Sequence, residues 1–417
     1  MTKLVVTGGN RLMGERQIPG AKNAVLPILA ACMLTRKPVR LSNCPRLSDV
    51  TNMLSILTTI GCQVEQEGDC IRVDAGKADC WELPEELSKE LRSSIFLLGP
   101  VLGRFRRAVV SYPGGCEIGN RPIDLHIKGL SAMQAKIREE GGRIYCNGEH
   151  LTGACIHLDY PSVGATENIM MAATAARGET VILNAAREPE IVDLQNFLIA
   201  AGFSISGAGT STIQVQGGAN PRPVEYRVQP DRIMAGTLLA AGAITGGRIV
   251  VRDVIPEDLD GVLWKLTEYG CRVRAFRDGV ELTAPERLKA PLRIETMPHP
   301  GFPTDMQAQM FALSTLAEGT TVIVENVFEN RFKHAMELRR MGGVNLIRDR
   351  TAVIQGVERL TGAEVTAHDL RGGAALALAG LAAEGNTTIL RAERIARGYE
   401  DLAFEINNLG GRACFTE

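Results

Sequence analysis

The feature that most constrains this chain is an internal repeat. Six times, an apolar helical stretch runs through a short turn into a β-branched strand, over residues 24–41, 94–110, 168–183, 233–251, 306–324 and 372–390. Successive copies lie about 70 residues apart, so six of them account for the whole length. Each copy continues into a second, amphipathic helix and a glycine-led turn to another strand. Gly61, Gly202, Gly270, Gly342 and Gly410 mark that turn in five copies. In the remaining copy the spacing of Leu125, Met133 and Ile137 predicts a helix over 125–137, with Gly141-Gly142 as the turn. Units of this kind build neither a Rossmann array nor a helical solenoid.

The first helix of each copy is apolar almost all round, and a helix hydrophobic on every face is buried on every face. The second helices keep a polar face and belong nearer solvent. Six buried helices flanked by strands, taken three and three, predict two α/β domains, with a ligand site where domains meet.

Composition excludes several partners. Forty-six Lys and Arg against 48 Asp and Glu give a formal charge of -2, and only 5% of residues are aromatic. Neither the cationic excess nor the stacking surface of a nucleic-acid binder is present. The longest apolar run, 24–34, is too short to span a bilayer, and no charged-then-apolar leader precedes it. A cytoplasmic protein without membrane insertion is expected. Ten cysteines include no C-x-x-C pair, and the six histidines show no zinc-ligand spacing, so no metal is expected. Cysteines such as Cys32 and Cys155 read as small buried hydrophobes of a reducing compartment.

The residues that open the apolar helices are polar: Lys22-Asn23, Arg92-Ser93, Ser162 to Glu167, Asp231-Arg232, Thr304-Asp305 and Asp369-Leu370-Arg371. Cations are unfavourable at a helix N-terminus. For any one of them a surface salt bridge suffices. Recurrence at Lys22, Arg92 and Arg371 points instead to an anionic ligand. Gly9 and Gly14 have Walker spacing, but Glu15-Arg16 stands where Lys-Ser/Thr is required, and 207–212 lacks the third glycine of a dinucleotide fingerprint.

The most unusual loop is Pro113-Gly114-Gly115-Cys116-Glu117-Ile118-Gly119. A thiol among three glycines, near the positive Arg121, reads either as a reactive group on a closing lid or as a wide turn with an incidental cysteine. Pro122 then suits the first position of a helix, and Asp124 complements its dipole.

Several of these segments together carry a family resemblance: Gly20-Ala21-Lys22-Asn23-Ala24, the Cys116 loop, Arg121-Pro122-Ile123-Asp124, Ala186 to Asp193, Phe302 to Gln309, Phe328-Glu329-Asn330-Arg331-Phe332 and Arg397-Gly398-Tyr399. End to end, the chain resembles the enolpyruvyl transferases, and among them the UDP-N-acetylglucosamine 1-carboxyvinyltransferase family. The resemblance implies two inside-out α/β barrel domains, each of three βαβαββ repeats around buried helices. One domain would cover 22–229 and the other 1–21 with 230–417. It implies transfer of the enolpyruvyl group of phosphoenolpyruvate to the 3′-hydroxyl of UDP-N-acetylglucosamine, the first committed step of peptidoglycan synthesis. No cofactor and no metal is implied, and protein partners stay open.

Carried over residue by residue, Lys22, Arg121 and Arg397 would cage the donor's phosphate and carboxylate. Cys116 would donate the proton to the enol carbon and take the covalent adduct. Asp305 would accept the hydroxyl proton, a role compatible with a plain cap on the helix starting at Met306. Asn23, Arg92, Arg121, Pro122, Ile123, Asp124, Leu125, Ser162, Val163, Gly164 and Val327 match positions that hold the nucleotide-sugar. Arg331 and Arg371 match further cleft-facing cations, and Glu188 would fasten the third copy. Three positions depart from the pattern: Met234 and Ala396 each stand where an acid is usual, and Glu117 where a small or neutral residue is. The competing readings are the sibling transferase acting on shikimate 3-phosphate, and a non-catalytic paralogue that binds UDP-N-acetylglucosamine.

Overall fold

All six apolar helices form, and the sequence explains where they lie. In the computed structural model, which describes residues 2–112 and 122–417, they are Lys22–Thr35, Leu98–Phe105, Val163–Ala173, Arg232–Ile244, Gln307–Ser314 and Leu370–Ala382. Every residue of Gln307–Ser314 is buried, as is every residue of Arg232–Ile244 after the first. Small residues let the helices touch. A Cβ on Gly99 would lie 2.2 Å from the carbonyl oxygen of Asn168, so Leu98–Phe105 rests directly on Val163–Ala173.

The chain divides into two units, one of residues 20–112 with 122–229, the other of residues 2–19 with 230–417. Each has its own core and three of the six helices. Around the helices stand separate, open sheets with one recurring order. An outer strand runs parallel to a central strand, which pairs antiparallel with a third, which pairs antiparallel with a fourth. The last two form a hairpin in four of the five four-stranded sheets, and in the fifth they are Lys3–Thr7 and Arg412–Thr416. Arg293–Thr296, Thr320–Glu325, Thr351–Gln355 and Val344–Arg348 form one such sheet. Along Thr320–Glu325 the inward residues alternate, as a one-sided sheet requires. The sheet of Arg107–Ser111, Arg143–Asn147 and Lys136–Glu140 has three strands. Its outer place is taken by a single parallel bridge, Glu82 to Val109.

Two sheets borrow their outer strand along the chain. Met13–Gln17, just before the Lys22 helix, pairs with Arg248–Arg252, while Val224–Arg227, just before the Arg232 helix, pairs with Pro38–Ser42. Among the described residues no helix is long and apolar enough to cross a membrane.

Two expectations about the second copy need correction. The helix there is Asp124–Ala132, and Ile137 lies in the strand Lys136–Glu140. In five copies the residue that ends the second helix is a glycine with positive φ (Gly61 96°, Gly202 99°, Gly270 91°, Gly342 96°, Gly410 85°). The equivalent residue here is Gln134, at φ 69°, an αL position that carries no glycine signal. Gly141 and Gly142 instead turn the following hairpin. Pro122, expected at the first helical position, instead precedes the helix, which starts at Asp124 after Ile123 without a side-chain cap.

Candidate active site

In the 20–229 unit, Lys22 is 7% exposed at the first turn of its helix, where no side chain caps the backbone. Its Nζ lies 2.7 Å from Oδ2 of Asp49, in the first turn of the amphipathic helix Ser48–Thr59. The anion expected beside this cation is therefore in part internal. Each charge of a pair this buried depends on the other, since an unmatched one would be expensive. Asn23 beside it is exposed.

Arg92 opens a 3-10 turn, Arg92–Leu97, so the apolar helical stretch that begins the 94–110 copy is split between that turn and the helix Leu98–Phe105. Near it lies a buried imidazole, His126. Its Nδ1 is 2.9 Å from Nδ2 of Asn168, which also donates to the carbonyl of Ile95 (2.9 Å), while Oδ1 of Asn168 accepts from Gly99 N–H (2.7 Å). With Asn168 donating, His126 carries its proton on Nε2. Burial, then the charge of Arg92, pushes its pKa down to about 4, so the ring is neutral. A Cβ on Gly164 would lie 3.2 Å from the ring and 3.3 Å from Phe96. His126 thus gathers Arg92, the 122–125 segment and the start of the Val163 helix. Ser162 caps that helix, its Oγ 3.4 Å from Ala165 N. Pro122 and Asp124 are exposed, Leu125 half-buried and Ile123 buried. Cys116, Glu117 and Arg121 lie outside the described residues.

In the other unit, Asp305 sits in the 3-10 turn Thr304–Met306 and makes no helix cap. Its carboxylate faces two guanidiniums instead: Oδ1 accepts from Arg331 (2.6 Å) and Oδ2 from Arg371 (3.1 Å). Both arginine side chains are 3% exposed, whereas that of Asp305 is 27% exposed. A carboxylate held from behind by buried cations and open in front can still accept a proton or a hydrogen bond. Burial alone would lower the pKa of Arg371, but Tyr399, Asp305 and Asp231 outweigh it and hold it above its ordinary value. Its guanidinium lies 5.3 Å from the Tyr399 ring centre, and Asp369 caps its helix through Arg371 N (3.0 Å) and Gly372 N (2.9 Å). Arg397 ends the turn Ala392–Arg397 and is half-buried, as is Val327. Of the departures from the family pattern, Met234 is buried among apolar side chains and Ala396 half-buried.

The sequence reading missed Asp49, His126 with Asn168, and Glu325. It also misplaced Cys155, which is exposed on the short strand Cys155–His157. The buried reading fits Cys32, Cys44, Cys62, Cys146 and Cys271. Burial pushes the thiols of Cys44, Cys62, Cys146 and Cys271 up to about 12, and that of Cys32 well above its ordinary value.

One buried acid gives a direct test. Glu167 is fully buried on the Val163 helix, and neither carboxylate oxygen has a hydrogen-bond partner among the described residues. Burial, then Glu190 and Glu188, raises its pKa well above the ordinary value. A folded-state pKa above the unfolded one contributes stability that is full below about 4.5 and lost as pH rises, at up to about 1.4 kcal/mol per pH unit. Glu167→Gln, which cannot ionise, is expected to gain on the wild type in urea unfolding between pH 5 and pH 8. Parallel stability curves would show that Glu167 is already ionised in the fold.

Helices walled by open sheets, in two units with exchanged first strands, are the architecture of an enolpyruvyl transferase. The structure of the enolpyruvyl transferase NikO from Streptomyces tendae superposes with a TM-score of 0.90 at 27% identity, covering 100% of this chain and 99% of that one. The family described as EPSP synthase (3-phosphoshikimate 1-carboxyvinyltransferase) matches residues 6–405. At the sequence level the likeness is narrower. UDP-N-acetylglucosamine 1-carboxyvinyltransferase 2 of Caldanaerobacter subterraneus subsp. tengcongensis is 50% identical over 410 residues, 98% of each chain. UDP-N-acetylglucosamine 1-carboxyvinyltransferase 1 of Carboxydothermus hydrogenoformans is 50% identical over 412 residues, 99% of this chain and 98% of its own. The chain belongs to the UDP-N-acetylglucosamine 1-carboxyvinyltransferase family.

Proposed function

We propose that this protein transfers the enolpyruvyl group of phosphoenolpyruvate to the 3′-hydroxyl of UDP-N-acetylglucosamine and releases phosphate. The observation that carries this reading is half-identity, over nearly the whole of both chains, to relatives named for that acceptor. The wider family model, described by its shikimate acceptor, fits the shared fold and donor. The two units are taken as domains, 22–229 and 1–21 with 230–417. The reaction is placed in the cytoplasm, at the entry to peptidoglycan synthesis, and uses no cofactor.

The residue roles are those the family resemblance implies, and the chemistry is compatible with them. The sugar oxygen bonds to C2 of phosphoenolpyruvate while Asp305 takes the hydroxyl proton and Cys116 delivers one to C3. Phosphate then leaves C2 as C3 gives up a proton, restoring the double bond. The hydroxyl proton is thus lost overall to the phosphate. Lys22, Arg121 and Arg397 hold the donor's anionic groups, where charge-assisted contacts are strongest. Asn23, Arg92, the 121–125 segment, Ser162-Val163-Gly164 and Val327 hold the nucleotide-sugar, with Arg331 and Arg371 behind Asp305. Product analysis tests the reading. Incubation with both substrates is expected to give a nucleotide-sugar with an enol ether on the 3′ oxygen, seen by NMR. An unchanged UDP-N-acetylglucosamine would refute it.

A further inference from the structure

Glu325 ends the strand Thr320–Glu325 with 0% exposure and gathers three separate stretches of chain. Its Oε1 accepts from Thr296 Oγ1 (2.9 Å), from Val327 N–H (2.9 Å) and from Phe328 N–H (3.1 Å). Its Oε2 accepts from Thr304 Oγ1 (2.9 Å). Thr296 Oγ1 in turn accepts from Asn326 N–H (2.9 Å). One carboxylate therefore ties the residue before Asp305 to the loop that carries Val327.

We infer that Glu325 is a positioning residue for the acceptor, fixing the Asp305 turn and the Val327 loop at one separation so that base and sugar meet in register. The inference rests on the function proposed above. Arg331 and Arg371 hold the side chain of Asp305, but nothing in those two contacts fixes its backbone. Thr304, hydrogen-bonded to Glu325, does. The Val327 and Phe328 amides point at the same carboxylate, so movement of either segment strains the other's hydrogen bonds. Only an acceptor with several lone pairs can serve four donors at once, and a carboxylate is the side chain that offers them. Since the reaction requires the hydroxyl within hydrogen-bond reach of its base, a small loosening here costs rate.

The test compares Glu325→Ala with Glu325→Gln in the full-length protein, by phosphate release at varied concentrations of each substrate. A glutamine oxygen keeps the Oε1 contacts, and its amide N–H donates to the Thr304 hydroxyl, which accepts as readily as it donates. The alanine variant is expected to raise the KM for UDP-N-acetylglucosamine and lower kcat, each by at least about tenfold, with the phosphoenolpyruvate KM within about threefold of wild type. The glutamine variant is expected to recover most of that loss. If Glu325→Ala fails to fold, Thr304→Val removes the same link, and Thr304→Ser restores it. Equal shifts in both KM values, or a lower melting temperature with unchanged kinetic constants, would overturn the inference. Turnover by the wild type tests the functional reading separately.

Discussion

Asp305→Asn is expected to lower kcat by about a hundred- to ten-thousand-fold, the usual contribution of a general base. The amide keeps the size of the carboxylate but cannot take a proton from the sugar hydroxyl. One of its faces also turns an N–H₂ toward Arg331 or Arg371, so one charge-assisted bond to a buried guanidinium is lost. The loss of that bond is a stability effect and is read separately, from the melting temperature. Phosphoenolpyruvate binding is expected to persist, because Asp305 is not among the cations assigned to the donor. Stopped-flow phosphate release and calorimetry of the donor together check the claim. A variant within threefold of wild-type kcat would remove Asp305 from the chemistry.

Cys116→Ser is expected to lose most activity, because a hydroxyl is too weak an acid to protonate the enol carbon. Cys116→Asp is expected to keep turnover, since a carboxylic acid still donates a proton. The family resemblance implies inactivation by fosfomycin, whose phosphonate mimics the donor's phosphate and whose epoxide offers carbon to sulfur. The wild type is therefore expected to form one adduct, at Cys116, faster with UDP-N-acetylglucosamine present, and Cys116→Asp none. The other thiols set the contrast. Those of Cys44, Cys62, Cys146 and Cys271, pushed up to about 12 by burial, carry almost no thiolate at neutral pH. Cys155 and Cys414 are exposed and are the competitors to watch in peptide mapping. An adduct on either, or a fully active Cys116→Ser protein, would contradict the assignment.

The buried helices were legible because their apolar pattern has no polar face, so burial follows from composition alone. The strand after each was legible from its β-branched run. Polar groups that act inside the fold were not, because a charged letter reads as surface. Asp49 is the instructive case. It lies on the same helical stripe as the buried Met53 and Ile56, yet only its ion pair with Lys22 reveals why an acid stands there. Glu325 left a clearer trace. In Thr320–Glu325 it falls in phase with Thr321 and Ile323, so period-two reading turns it inward. Gln134 left none, since a glutamine in the αL region has no sequence signature. Asp305 as a helix cap was a sound local reading that lost to two guanidiniums contributed by distant segments, Arg331 and Arg371.

The central claim is the identity of the acceptor, and phosphate release from phosphoenolpyruvate measures it most directly. The purified protein is assayed with the donor alone, with UDP-N-acetylglucosamine and with shikimate 3-phosphate. Release that depends on UDP-N-acetylglucosamine, one phosphate per acceptor consumed, is the predicted result. Release that depends on shikimate 3-phosphate, or no release with either acceptor while UDP-N-acetylglucosamine still binds, would contradict it.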